Sequence, residues 1–455
     1  MKKYGINILA GLFYCLLLNP CLAGEPLALG QAVRKALSYS PYLKAMEAGE
    51  QIAKEKVGEA KAMKAPKINI GISDSRLNSP MMTFGAKLNQ GQIEMADFNP
   101  SRLNTPDYVN NFQIGAQVLL PVYLGGMDVH AVKSAQTNVD AARFDVSNAG
   151  EEIILRTIEA YLNVMMAGES VDVARKACEA SFESVRNAQD AIDAQKAVAS
   201  DLLQAKVRHS ANEETLLRMR NQLSLALEGL STMMGVASAS DYDLTLPFMK
   251  QECLYCSEDP ATLLRKALLQ RPDFQKLRKQ IEALKSAEKM FRGADRPKFF
   301  LGAGTEHNTD RIGGQGRSNN IVFGKIDWNV ADGGEATHKT AGARKQTNQL
   351  KMMADALQDQ IRFQIREAVT NINNSLERIR VTSEAVEQSK ESLRIIRDRY
   401  NAGIAIMIDL LGAETSLQSH QMNHIKALYD YALGRAKLKM ALGELTLEHC
   451  QILND

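Results

Sequence analysis

The sequence predicts a mixed α and β protein, mostly α, in which paired amphipathic strands are followed by very long helices and the whole pattern is written twice. Three observations carry this expectation: the placement of the prolines, a change of hydrophobic period along the chain, and residue identities that recur at constant offsets.

The 455 residues include 12 prolines, at 20, 26, 41, 66, 80, 100, 106, 121, 247, 260, 272 and 297, so 122–246 and 298–455 contain none. Proline inside a helix costs about 3 kcal/mol, and both gaps are rich in Ala, Leu, Gln, Lys, Glu and Arg, so unusually long helices are expected there. A chain that is 45% hydrophobic and 24% charged is not disordered. Lys and Arg total 55 against 53 Asp and Glu, a balance that gives no reason to propose nucleic acid as partner. Past the N-terminus no apolar run reaches the roughly 18 residues of an ordinary transmembrane helix.

The N-terminus has the grammar of an export signal. Lys2 and Lys3 precede the apolar stretch Ile6 to Leu18, and Cys21-Leu22-Ala23 offers a small residue where a signal peptidase reads, which makes 1–23 a signal peptide and Gly24 the expected start of the mature chain. Leu18-Asn19-Pro20-Cys21 admits a rival lipidation reading, with Asn and Pro at positions where small residues are usual. Of the cysteines left after cleavage, Cys178, Cys253, Cys256 and Cys450, the Cys253-Leu-Tyr-Cys256 pair could close a small disulfide in an exported protein.

Arg34-Lys35-Ala36-Leu37, Pro41, Pro66 and Gly71 return as Arg265-Lys266-Ala267-Leu268, Pro272, Pro297 and Gly302, all displaced by 231. Farther on, Gly125-Gly126, Asp201-Leu202-Leu203, Ala205 and Gly235 return as Gly333-Gly334, Asp409-Leu410-Leu411, Ala413 and Gly443, displaced by 208. An internal duplication is expected, 24–250 followed by 251–455, with 23 extra residues in the first copy between Gly71 and Gly125. That insertion holds Asn78-Ser79-Pro80, Asn99-Pro100 and Thr105-Pro106-Asp107 and reads as a long exposed loop.

Each copy opens with a short amphipathic helix, roughly 28–37 in the first, and a second from about 41 to 63. Then Ile68, Ile70 and Ile72 alternate with Asn69, Gly71 and Ser73, and Phe112, Ile114, Ala116, Val118, Leu120 and Val122 alternate likewise. Strands are expected at about 67–76, 111–123, 298–306 and 319–331, the last two from Phe299, Leu301 and Ala303, and from Val322, Gly324, Ile326, Trp328 and Val330. Lys325, Asp327 and Asn329 fall on the opposite face, a polar lining. After each double glycine the apolar residues advance by three, four or seven, as in Ile361, Ile365, Ala368, Ile372 and Ile379, which is helical spacing near that of a coiled coil. Long helices are expected at about 127–195, 198–235, 335–401 and 405–443, the first on the order of 100 Å long at 1.5 Å per residue.

Four strands with one apolar and one polar face are too few to close a barrel. Within a bilayer every backbone hydrogen bond must be satisfied, so such strands must close with those of other copies. Strands of roughly 9–11 residues fit the tilted crossing of an outer membrane, and the helices would then extend the lumen into the periplasm. A soluble sheet joined to a structural coiled coil shares these periodicities.

Leu27-Ala28-Leu29-Gly30-Gln31-Ala32-Val33 with Pro41, Leu120-Pro121-Val122-Tyr123-Leu124-Gly125-Gly126, Tyr400-Asn401-Ala402-Gly403 with Ile408-Asp409-Leu410-Leu411, and Asp430-Tyr431 to Leu442-Gly443 stand in order along the mature chain. In these the chain resembles the TolC family of outer-membrane efflux proteins. The resemblance implies a homotrimer whose 12-stranded barrel takes four strands from each chain and continues as an α-helical barrel through the periplasm. It further implies a passive exit duct in outer-membrane lipid, worked through a periplasmic adaptor protein by an inner-membrane pump of RND, ABC or MFS type, with type I protein secretion as the alternative and a non-channel periplasmic scaffold as a more distant one.

The family's periplasmic aperture lies at the turns between paired long helices, here near 196–201 and 403–409. Asp201 and Asp409 occupy matching places in the two copies, and Tyr400 matches the family's gate tyrosine, so a Tyr400 hydroxyl donating to Asp201 would form a latch. Ala405 and Gly412 stand where some members carry a latch arginine and a second aspartate. The rival reading makes Asp201 and Asp409 helix N-caps before Leu-Leu pairs. Gly125, Gly126, Gly333 and Gly334 are the expected strand-to-helix hinges, and Gly403 the expected turn of a helix hairpin. His420 and His424 stand four apart on a helix, but Gln421 breaks the HExxH pattern and no third ligand is in view, so no metal is expected. The Met pairs at 81–82, 233–234 and 352–353 read as filling. Gly313-Gly314-Gln315-Gly316 lacks the Lys-Ser/Thr of a phosphate loop, no nucleophile elbow is present, and neither an enzyme nor a cofactor is expected.

Overall fold

The computed structural model describes residues 25–195, 198–244 and 258–448. Residues 1–24 with Cys15 and Cys21, the Cys253 and Cys256 pair and Cys450 lie outside them, so the signal-peptide, lipidation and disulfide expectations fall outside the described residues. In chain order the elements are β1 (Glu25–Leu27), α1 (Leu29–Tyr39), α2 (Pro41–Ala62), β2 (Lys67–Leu77), α3 (Pro80–Gln90), α4 (Pro100–Asn104), β3 (Val109–Tyr123), α5 (Met127–Asp193) and α6 (Ala199–Met234). They continue with β4 (Tyr242–Leu244), α7 (Pro260–Gln270), α8 (Pro272–Arg292), β5 (Lys298–Thr309), β6 (Gly316–Asp327), α9 (Glu335–Asn401) and α10 (Met407–Leu442). The protein is mostly helical. The long helices match in length, 67 residues in both α5 and α9 and 36 in both α6 and α10.

The chain divides into two compact units. One, built from Pro41–Gly150 and Pro260–Gln364, contains the antiparallel sheet in the order β2-β3-β5-β6. Its register places Ile68 opposite Val118, Val118 opposite Ala303, and Ala303 opposite Val322, so the alternating apolar residues of all four strands share one face. A bulge interrupts the alternation of β3 between Pro121 and Tyr123: Tyr123 rather than Val122 pairs with Phe299, and the two rings lie 5.8 Å apart. Pro121 has no N–H to give the ladder, and a bulge is where a strand tolerates that.

Two expectations are corrected here. The 78–107 insertion is not a loop, for it folds into α3, a 3₁₀ turn at Met95–Phe98 and α4. Pro80 and Pro100, read from sequence as breakers, each occupy the first position of a helix, where a missing N–H costs nothing. Asn99 caps α4 by accepting the Ser101 N–H at 3.0 Å. The last strand spans Gly316–Asp327 instead of about 319–331, so Trp328 and Val330 lie beyond it. Trp328 leaves the ladder to donate its indole N–H to the Asp295 carbonyl at 3.0 Å.

The described residues of the other unit, which is assigned Met1–Ser40, Glu151–Asp259 and Ile365–Asp455, are mostly helical apart from the short parallel pair β1 and β4. Its core gathers Leu27, Leu29 and Val33 against Ile154, Ile158 and Tyr161 of α5, Leu230 and Met234 of α6, and Ile425, Tyr429 and Ala436 of α10. Gly235 ends α6 in the left-handed region at φ 66°, and a Cβ there would lie 2.1 Å from the Tyr39 ring. The fully buried Tyr161 donates its hydroxyl to the Leu27 carbonyl at 2.8 Å. Tyr161→Phe keeps the packing and removes that bond, and is expected to cost about 1 kcal/mol in chemical denaturation.

Candidate functional site

The sheet has two unlike faces. Ile68, Ile70, Ile72, Ile114, Leu301, Val322 and Ile326 lie on one and are open to the surroundings, Ile70 at 75% and Val322 at 84% of full exposure. Asn69, Ser73, Gln113, Gln117, Glu306 and Asn319 lie on the other and line a concavity of about 710 Å³. Lys325 and Asp327 share the parity of that polar face and pair with each other at 3.0 Å. The sheet is thus an arc with an apolar outside and a largely polar inside, where Ile321 and Phe323 also line the concavity. β2 and β6 are its edges, and neither pairs with a further strand among the described residues. The apolar stretch also climbs across the sheet: Ile326 and Val322 stand level with Phe299 and Ala303, whereas Ile68 to Ile72 stand level with Val118 to Ile114, farther from the ends that lead into the helices. Strands tilted across a flat apolar layer have this offset. No described helix is long and apolar enough to cross a membrane.

The junctions from strand to long helix use left-handed glycines, φ 68° and 82° at Gly125 and Gly126 and φ 67° and 90° at Gly333 and Gly334. Asp332, which sequence reasoning missed, holds the start of α9 by accepting the Gly334 N–H at 2.8 Å and the Ala336 N–H at 2.7 Å, and these amides hold its carboxyl below the usual range. Its signal was an aspartate just ahead of Gly-Gly-Glu.

In the helical unit, the far end of the hairpins is a small core of Ala188, Ala205, Leu393, Met407, Leu410 and Ala413, with Leu202 and Tyr400 packed on it. Gly403 turns at φ 72°, and Ile404 N–H closes back on the Arg399 carbonyl at 2.8 Å. Gln195 adopts φ 59° at the place in the first copy that matches Gly403. The N-cap reading of the two aspartates is corrected: Val198 and Ile406 occupy the caps, without a side-chain bond, and Asp201 and Asp409 follow in the first turn. A carboxylate there still meets the positive end of the helix dipole. Burial, and behind it the charge of Asp201, push the Tyr400 phenol up. No hydrogen bond joins Tyr400 to either aspartate among the described residues, so the structure brings Tyr400 near Asp201 without closing a latch.

Glu414, also missed, is a buried carboxyl between the hairpins. It accepts the Ser184 hydroxyl of α5 at 3.1 Å, faces Arg397 of α9 at 3.7 Å and feels Arg208 of α6. Its side chain is 8% exposed, and its Oε2 and the Arg208 Nε make no hydrogen bond among the described residues. Burial outweighs these partners and pushes its pKa up. No sequence signal marks it, because its surroundings come from three other helices. His420 and His424 are each engaged across the α9–α10 hairpin, by the Ser389 hydroxyl at 2.5 Å and the Thr382 hydroxyl at 3.0 Å.

The geometry finds its match among known proteins. The family model described as "Outer membrane efflux protein" matches residues 32–236 and 263–444. The outer membrane efflux protein BepC of Brucella suis is 22% identical over 77% of this chain and 76% of its own length. The alkaline protease secretion protein AprF of Pseudomonas aeruginosa is 23% identical over 68% of this chain and 65% of its own length. The crystal structure of the outer membrane protein VceC of Vibrio cholerae superposes with a TM-score of 0.76 at 19% identity, covering 91% of this chain and 96% of that one. An open amphipathic arc of strands on long helices, in such company, defines the class as an outer-membrane exit channel with a large periplasmic part. The chain belongs to the outer membrane efflux protein family.

Proposed function

We propose that the chain is one third of a homotrimeric exit duct that passively conducts molecules delivered by an inner-membrane pump and a periplasmic adaptor. The observation that carries this is the four-stranded arc, largely polar within and apolar without, with both edges unpaired among the described residues. Three arcs joined edge to edge make a closed cylinder of 12 strands with a wet interior, the form in which such strands satisfy all their backbone groups in lipid. The equal helix lengths and matching left-handed glycines support an internal duplication, and with it a helical continuation of pseudo-sixfold character. The chemistry is transport and not catalysis.

The likeness to AprF supports a second reading, in which the same duct passes polypeptides from a type I secretion pump. Purified protein is expected to form heat-modifiable trimers in detergent and to carry single-channel current in planar bilayers. A monodisperse monomer in plain buffer would defeat both readings, and co-purification with either a drug pump or a protease exporter separates them.

Asp201, Asp409 and Tyr400 are the proposed aperture; the packing of Tyr400 on the core at the hairpin ends and the first-turn places of the two aspartates support it. Removing a carboxylate from a narrow pore changes both its bore and its preference for cations. Asp409→Ala is expected to raise conductance and weaken cation preference in single-channel records. Unchanged current with a lower melting temperature would assign Asp409 to helix stability alone.

A further inference from the structure

We infer that the folded segment between β2 and β3 is a cap seated inside the exit mouth, where it sets the size of what can leave; this rests on the channel reading above. Side-chain parity places it. Asn111, Asn308 and Arg317 fall on the same face as Gln113, Glu306 and Asn319, which line the concavity. The C-terminal end of α3 lies against Asn111 and Arg317. Gln90, 3% exposed, donates its amide to the Asn111 side chain at 2.8 Å, to the Asn110 carbonyl at 2.9 Å and to the Thr309 carbonyl at 3.2 Å. Gly91, at φ 70°, comes so close to Arg317 that a Cβ would lie 2.9 Å from its Cδ.

From Gln90 a chain of hydrogen bonds descends the polar face. Asn111 donates to Asn308 at 3.2 Å, Asn308 donates to Glu306 at 3.3 Å, and Gln113 donates to Glu306. The segment itself is rigidly built: Lys87 meets the largely buried Asp97 at 2.7 Å, and Phe84 meets Phe98 edge-on at 5.8 Å. Topology does not require it, since residues 310–315 suffice to join β5 to β6 at the same end of the sheet. This end is opposite to the one that leads into α5 and α9, so in a duct whose helices enter the periplasm it is the exterior end. A structured body fixed to the inner side of each arc narrows the common opening, and three copies narrow it together.

The test uses the full-length protein in planar bilayers, with residues 81–104 replaced by a short Gly-Ser linker in one variant and Gln90→Ala in another, trimers being verified on gels. The shortened loop is expected to raise single-channel conductance roughly twofold and to admit larger polyethylene glycols, and Gln90→Ala to produce flicker between the two levels. Shortened trimers with the parental conductance and polymer cutoff would overturn the cap. If the shortened chain fails to assemble, Gln90→Ala and Asp97→Asn decide on the same readout, parental current and cutoff in both overturning it. A parent that assembles but carries no current defeats the channel reading instead.

Discussion

Gly125→Ala is expected to destabilise the protein by more than about 3 kcal/mol, while Gly333→Ala, at the matching place in the second copy, costs only about 1–2 kcal/mol. Both glycines are left-handed, at φ 68° and 67°, so both substitutions pay the torsional penalty of a Cβ there. They differ in surroundings. A Cβ on Gly125 would lie 2.3 Å from the Gly293 carbonyl oxygen and 3.0 Å from the Arg296 Cβ, and a backbone oxygen held in the turn after α8 cannot rotate away. A Cβ on Gly333 meets nothing within 4 Å. Denaturant or thermal unfolding of the two variants, followed by circular dichroism, measures the difference; equal losses would mean that the junction after β3 relaxes freely.

Glu414 gives the second large effect, and its sign follows from its burial. The carboxyl is harder to ionise in the folded protein than in the unfolded chain, so the folded state holds its proton to higher pH. The stability linked to it is present below the unfolded value, near 4.5, and is lost as pH rises through the higher folded value. Glu414→Gln keeps the shape and the Ser184 hydroxyl contact while removing the charge that burial penalises. The variant is expected to melt at a higher temperature than the parent at neutral pH and to show a flatter dependence of melting on pH between 4 and 7. A parent that gains stability over that range, or a variant that melts lower at neutral pH, would show that the attraction of Arg397 and Arg208 outweighs desolvation.

What could be read from sequence was whatever repeats with a period. The apolar alternation of Ile68, Ile70 and Ile72 identifies one sheet face, because strand side chains change sides at every residue. The proline-free stretches allow α5, α6, α9 and α10, because helices of that length need only good helix formers and no breaker. What could not be read depends on meetings between distant segments. The bulge at Val122 follows from Pro121 facing Phe300 in a neighbouring strand. The insertion looked like loop because Asn78-Ser79-Pro80, Asn99-Pro100 and Thr105-Pro106-Asp107 punctuate it, yet Pro80 and Pro100 start helices and Gln90 finds its acceptors on β3 and β5. Asp201 and Asp409 were found by their repeat, but Glu414 has no counterpart at the matching position in the first copy, and only the convergence of Ser184, Arg208 and Arg397 makes it special.

The unpaired rims of the arc have a consequence for how the protein is made. A subunit not yet joined to others in the proposed trimer carries, among the described residues, two rows of free amides and carbonyls, along Lys67–Leu77 and Gly316–Asp327, beside an oily flank of isoleucines. That combination templates clumping in water. In the proposed trimer, maturation therefore has a narrow window: sister subunits and lipid must reach the ribbon almost together, and cells that export it faster than they can insert it are expected to accumulate insoluble protein.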